Sequence, residues 1–294
     1  MSSAPALPRY THLITAEQLL ALRASGQPVA VFDCTFDLMD TGAGEAQFAQ
    51  SHIAGARYLH LDRDLSAAPG ADTASGGRHP LPAREAFAAT LRTHGLNAGT
   101  QVVAYDRQGV FSSGRLWWML NWCGHSAVAL LDGGQKAWEA AGGEVESGPM
   151  PAVVQPGNFA LGDSLAPTLG ASDILQALGK PALTVVDARA GARYRGETEP
   201  LDAVAGHMPG ALNRPFTDNF GPDGRFKPAE VLRADFLQLL NGRDPATVVH
   251  HCGSGVTAVP NVLAMELAGL GRTALFPGSW SEWSRLPGVP CARG

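Results

Sequence analysis

The chain has 294 residues, room for two ordinary domains, and 45% of them are hydrophobic, enough for a substantial core. A formal net charge of −5 gives no reason to expect nucleic acid or an anionic membrane surface as a partner. No apolar run reaches the length of a membrane span, and residues 1–10 lack the basic start and apolar stretch of a secretory signal. Cys34, Cys123, Cys252 and Cys291 are scattered without the close pairing of a metal site, which fits a reducing, cytoplasmic setting.

In chain order, Thr15-Ala16-Glu17-Gln18 has the spacing of a capping box and predicts a helix over 16–24. Pro28-Val29-Ala30-Val31-Phe32-Asp33 reads as a strand ending in an acid, and His52-Ile53-Ala54-Gly55-Ala56 follows. Val102-Val103-Ala104-Tyr105-Asp106 is a second such strand, Arg115 opens a helix whose Trp117 and Trp118 read as core, and Leu131-Asp132-Gly133-Gly134 leads to Trp138. Residues 147–167, rich in Pro and Gly, read as a linker between domains at 1–146 and 168–294.

The same signals then recur. Asp33 and His52 return as Asp187 and His207 about 155 residues on, and Asp106 and Trp138 as Cys252 and Trp283 about 145 residues on. A constant order of landmarks indicates a duplicated domain, and the drop in offset gives the first copy about nine extra residues. Short apolar strands alternating with helical stretches argue for an α/β fold in each copy, a mainly parallel sheet with helices on both faces. Because both copies carry the histidine and only one has the cysteine, His52 and His207 are expected to hold turns by hydrogen bonding.

Ala246-Thr247-Val248-Val249 predicts a buried strand, His250 and His251 point to opposite faces, and 259–268 predicts a helix ended by Gly269. Between them lies Cys252-Gly253-Ser254-Gly255-Val256-Thr257-Ala258. A Gly-rich strand-to-helix loop turns several N–H groups inward and favours an anion at its centre: a thiolate, or that sulfur carrying a second sulfur. A buried structural thiol is a poor fit to such a loop. A phosphate-binding loop would need Gly-Lys-Ser/Thr, and a cysteine phosphatase would need an arginine where Ala258 stands.

These seven residues resemble the active-site loop of the rhodanese-type sulfurtransferases, and within them the 3-mercaptopyruvate branch. The thiosulfate branch usually has basic residues at Gly253 and Ser254. The resemblance runs over nearly the whole chain. It implies two tandem rhodanese-like domains, a non-catalytic first copy with Asp106 in place of the cysteine, and no metal or organic cofactor. It implies Cys252 as sulfur carrier in a loop of Gly253, Gly255, Val256 and Thr257, and Arg193 as the group gripping the donor's carboxylate or sulfonate. It further implies a relay in which Asp62 orients His79 and His79 moves a proton through Ser254, as acid, histidine and hydroxyl do in serine triads. The branch often has a second arginine shortly after the Arg193 stretch, and Glu199-Pro200-Leu201-Asp202-Ala203 offers none. Arg195 reads as solvated, and Arg107 and Arg115 as additional charge at a domain interface.

The expected activity is transfer of a sulfane sulfur from 3-mercaptopyruvate, through a Cys252 persulfide, to a thiol such as thioredoxin or a small thiol, or to cyanide. The alternatives are a thiosulfate sulfurtransferase and a persulfide carrier or sensing module with little turnover.

Overall fold

The computed structural model describes residues 9–150 and 155–294. The first eight residues of the leader reading and 151–154 of the predicted linker lie outside them. The chain divides into two compact units, one built from residues up to Asp64 with Arg84–Leu165, the other from Leu65–Ala83 with Ala166–Gly294. The segment Leu65–Ala83, within the stretch where the first copy carries its extra residues, thus packs with the second.

In the first unit the strands are β1 (Leu13–Ile14), β2 (Val29–Asp33), β3 (His52–Ile53), β4 (Arg57–Tyr58), β5 (Gln101–Tyr105), β6 (Val128–Leu131) and β7 (Val145–Glu146). The main sheet runs β1-β6-β5-β2-β4 with every pair parallel, and β3 and β7 form a separate antiparallel pair. The second unit contributes β8 (Thr184–Asp187), β9 (Leu212–Asn213), β10 (Val248–His251) and β11 (Ala274–Leu275), in the order β11-β10-β8-β9 and again parallel. Thr168 bridges to Leu275 beyond β11, and His207 bridges antiparallel to Ala292, as β1 and the β3–β7 pair do in the first unit. The duplication read from four landmarks is therefore a duplication of strand order.

Local chemistry accounts for the element ends. Thr15 Oγ1 accepts from the Gln18 N–H at 3.2 Å and Gln18 Oε1 accepts from the Thr15 N–H at 2.9 Å, so the box closes on the helix Ala16–Ala24. The helix with the tryptophan pair begins at Ser113, two residues before Arg115, and every residue of Ser113–Trp122 is buried. Ala246 and Thr247 sit in a 3-10 turn after Pro245, and the strand starts at Val248 and runs through both histidines.

The period-2 rule places the second core. Val185 and Val249 pair across β8 and β10 and face Ile174, Phe276, Trp280 and Trp283. Val186 and Val248 face the opposite layer of Leu232, Phe236, Ala264 and Met265. Both faces of β10 are thus buried, which fixes its register and the position of whatever follows it.

His52 and His207 take structural places. His52 is hydrogen-bonded through Nδ1 to the Phe48 carbonyl at 2.7 Å and stacks on the Phe48 ring at 3.7 Å. His207 is bonded through Nδ1 to the Tyr194 carbonyl at 2.8 Å and stacks on the Tyr194 ring at 3.8 Å. Losing one such bond and stack should cost about 1–3 kcal/mol. His52→Ala and His207→Ala are each expected to lower the urea midpoint accordingly, and unchanged midpoints would remove the turn-holding role.

Candidate active site

Cys252 directly follows β10 and is buried. Its N–H donates to Ser279 Oγ at 3.1 Å, and that hydroxyl donates to the Phe276 carbonyl at 2.9 Å. The Trp280 and Ser281 N–H groups donate to the carbonyls of Cys252 and Gly253 at 3.0 and 2.8 Å. First-turn N–H groups lack partners inside their own helix, and here two loop carbonyls supply them. A trans peptide points its C=O and N–H in opposite directions, so the Gly253 and Ser254 N–H groups face away from that helix. Among the described residues the N–H groups of Gly253, Ser254, Val256, Thr257 and Ala258 make no hydrogen bond. Gly255 has φ +75°, and a Cβ there would meet the Pro277 carbonyl oxygen at 2.0 Å, so only glycine fits.

The first unit shows the same loop filled. Asp106 stands where Cys252 stands, and Gly109 repeats φ 75°. The Asp106 carboxylate accepts from the N–H groups of Gln108, Ser112 and Ser113 at 3.0, 2.9 and 2.9 Å, and from Ser113 Oγ at 2.7 Å. Burial raises this carboxyl above its ordinary value, against the pull of those four hydrogen bonds. Gln108 and Ser112 correspond in the duplication to Ser254 and Ala258.

His79, carried by the inserted segment, meets Ser254: its Nδ1 lies 2.7 Å from Ser254 Oγ, and both are buried. Asp62 belongs to the first unit, where its N–H donates to His60 Nδ1 at 3.1 Å. Arg193 donates through Nη2 to Glu199 Oε1 at 2.6 Å and lies 3.5 Å from Asp202 Oδ2. A Cβ built on Gly253 would stand 3.5 and 3.6 Å from the two terminal nitrogens of Arg193, so that guanidinium lies over the loop. Val256 is buried and Thr257 half-buried within the loop. Arg195 is exposed and paired with Glu197 at 2.7 Å. Arg107 is neutralised inside the first unit by Asp33 at 2.9 Å.

Three features escaped the sequence reading. Arg78 pairs with Asp202 at 2.7 Å, and its Nη2 stands 3.2 Å from the same Gly253 Cβ position. Its only sequence signal is adjacency to His79. Glu199 receives both Arg193 and the buried Arg189, the latter at 3.3 Å. Beneath the loop, His251 is bonded through Nδ1 to the Cys252 carbonyl at 3.1 Å and lies 3.5 Å from Asp187. Burial lowers the His251 imidazole despite Asp187. Burial works to raise the Asp187 carboxyl, but His251 and Arg189 carry it below its ordinary value. His250 faces the other layer, against Met265 and Phe236, and burial pushes it down to about 3.

The description "Rhodanese-like domain" matches residues 15–141 and again 170–286. Two bacterial relatives are similar over nearly the full length. One from Pseudomonas aeruginosa is 45% identical, over 96% of this chain and 98% of its own, and is provisionally named 3-mercaptopyruvate sulfurtransferase. One from Mycobacterium tuberculosis is 40% identical, over 96% and 97%, and is provisionally named thiosulfate sulfurtransferase SseB. The solved 3-mercaptopyruvate sulfurtransferase from Leishmania major superposes with a TM-score of 0.80 at 30% identity, covering 96% of this chain and 76% of that one. With both copies matched and relatives of this similarity, the chain belongs to the rhodanese-like family, as a sulfurtransferase with two such domains in tandem.

Proposed function

We propose that this sulfurtransferase takes its sulfur from 3-mercaptopyruvate and carries it as a persulfide on Cys252. The observation that carries the reading is the loop with unbonded N–H groups at Ser254 and Ala258, where the first unit holds an internal carboxylate. Such a nest suits a persulfide anion, as an oxyanion hole suits its oxyanion. Burial disfavours the thiolate at the other three cysteines. Burial, and after it Asp33, raises Cys34 well above its ordinary value, burial pushes Cys123 up to about 11, and burial raises Cys291.

In the first half-reaction the Cys252 thiolate attacks the donor sulfur. The sulfur–carbon bond breaks and its electron pair leaves on carbon as the enolate of pyruvate. The donor's thiol proton ends on that product, and the Ser254 hydroxyl backed by His79 is the route assigned to it. Asp62 is assigned as the third member of that relay. Arg193 takes the donor's carboxylate, and Gly253, Gly255, Val256 and Thr257 shape the cradle. In the second half-reaction a thiolate or cyanide attacks the outer sulfur and regenerates the Cys252 thiolate. Thioredoxin or a small thiol fits as acceptor, in a reducing, cytoplasmic setting. No helix among the described residues is long and apolar enough to cross a membrane. Thiosulfate, in the name of the Mycobacterium relative, is the alternative donor, and turnover itself separates either enzyme from a carrier.

Given donor without acceptor, the protein should gain about 32 Da, one sulfur, on the peptide containing Cys252. Cys252→Ser should lose this gain and all turnover while keeping its thermal midpoint, and mass found on Cys34, Cys123 or Cys291 instead would overturn the assignment.

The neutral loop also predicts donor preference. Without basic side chains at Gly253 and Ser254, thiosulfate gains no charge-assisted bonds from the loop itself. We expect kcat/KM for 3-mercaptopyruvate to exceed that for thiosulfate at least about tenfold, or about 1.4 kcal/mol. His79→Ala should lower kcat with 3-mercaptopyruvate by about 10²-fold, and less with thiosulfate, whose leaving sulfite needs no proton on carbon. Arg193→Ala should raise KM for either anion about tenfold. Equal use of thiosulfate by the wild type would reverse the donor assignment and leave the sulfurtransferase standing.

A further inference from the structure

We propose that Glu282 is a positioning residue for the proton relay of His79 and Ser254. It clips the tip of the inserted segment onto the helix Ser279–Trp283, which also holds the sulfur loop, so one short helix sets where the histidine meets the serine. This deepens the reading of a sulfurtransferase with that relay and rests on it.

The inserted segment is a narrow loop. The Ala74 N–H donates to the Leu81 carbonyl at 2.8 Å, the Leu81 N–H donates to Ser75 Oγ at 2.9 Å, and Thr73 bridges antiparallel to Pro82. Its tip is Gly76-Gly77, and His79 lies on the returning arm. The tip is seated on the helix Ser279–Trp283. The Gly76 N–H donates to the Glu282 carboxyl group. The Arg78 N–H donates to Ser281 Oγ at 2.9 Å. Between them Gly77, at φ +91°, runs so close that a Cβ would stand 2.5 Å from the Gly278 carbonyl oxygen.

The Glu282 carboxyl group fills a space that two glycines leave. A Cβ on Gly76 would stand 2.8 Å from its Cδ, and a Cβ on Gly278, four residues before it, would overlap its Oε2. Burial raises this carboxyl above its ordinary value, against the pull of the Gly76 N–H. What it supplies is therefore an acceptor oxygen more than a charge, and an amide oxygen serves as well. The same helix gives the Trp280 and Ser281 N–H groups to the carbonyls of Cys252 and Gly253. Loop and tip share one template, which sets the 2.7 Å between His79 Nδ1 and Ser254 Oγ. A hydrogen bond weakens steeply as distance and angle are lost, so a tip free to lift would uncouple the histidine and leave Cys252 in place.

Diethyl pyrocarbonate reads the position of His79 without sulfur transfer. A ring nitrogen bonds to the reagent's carbonyl carbon as ethyl carbonate leaves, so only a reachable imidazole reacts. His79 is buried, and His250 and His251, buried deeper, are the controls for unfolding. Glu282→Ala is expected to speed labelling of the His79 peptide about tenfold, with His250 and His251 unlabelled. It should lower kcat for 3-mercaptopyruvate about tenfold, with KM within about twofold, and lower kcat for thiosulfate less. Added to His79→Ala it should lower kcat no further, because the two act through one proton route. Glu282→Gln should recover most of both effects. If Glu282→Ala does not fold, Gly76→Ala, whose methyl displaces the carboxyl group, carries the test together with Glu282→Gln. A His79 still protected in Glu282→Ala, labelling of His79 only together with His250 and His251, independent losses in the double variant, or a glutamine that behaves as the alanine does would overturn the proposal. An undiminished kcat in His79→Ala alone would instead strike the relay reading, and the labelling would still decide whether Glu282 places the segment.

Discussion

Two backbone hydrogen bonds organise the second unit. The Trp280 and Ser281 N–H groups capture the carbonyls of Cys252 and Gly253, and peptide planarity then sends the following N–H groups the other way. A loop at the end of a parallel strand would otherwise satisfy its N–H groups locally or with water. Here the carbonyl side is tied to protein, and the N–H groups of Gly253, Ser254, Val256, Thr257 and Ala258 make no hydrogen bond among the described residues. The tie depends on β10 being buried on both faces, because any slip in its register would move Cys252 away from Ser279, Trp280 and Ser281. Ser279 at φ 55°, an uncommon conformation for a residue with a side chain, is the local strain that this arrangement holds, and Gly255 leaves room for the Pro277 carbonyl.

The duplication provides an internal comparison. The loop at Asp106 has the same glycine conformation and carries an internal carboxyl group on the N–H groups of Gln108, Ser112 and Ser113. A carboxyl group in that place satisfies the loop from within. With a cysteine in that place, the N–H groups of Ser254 and Ala258 make no hydrogen bond among the described residues. The two loops differ at five of seven positions, and the change from Asp106 to Cys252 is the one that removes the internal carboxyl group.

The strands, the capping box and the loop were legible because each rests on local pattern: β-branched runs, Thr15 with Gln18, glycines beside a cysteine. The structural role of His52 and His207 was legible from their presence in both copies. Arg78 with Asp202, and Glu199 between Arg189 and Arg193, were not, because ion pairs between segments leave no periodic trace. The packing of Leu65–Ala83 with the second unit was hidden for the same reason: sequence order assigns an insertion to the copy it interrupts, and contacts assign it to the surface it covers. Ala246 and Thr247 were read as strand from β propensity, which Pro245 and the Asp244 cap on the Ala246 N–H override.

Burial of charge explains why Arg193 has a fixed direction although its side chain keeps 20% of its exposure. Arg189 is buried over the Trp280 ring at 4.7 Å, with Asp187 on one side at 2.6 Å and Glu199 on the other. Glu199 in turn accepts from the Leu201 and Asp202 N–H groups and from Arg193. Each of these groups would be costly to leave unpaired in the interior, so the chain from Asp187 to Arg193 holds as a unit and not as separate surface bridges. Asp187 also faces His251, whose ring is bonded to the Cys252 carbonyl. The Arg193 guanidinium and the Cys252 carbonyl are thereby set by one buried network rooted in β8 and β10, and the spacing between them follows from the core.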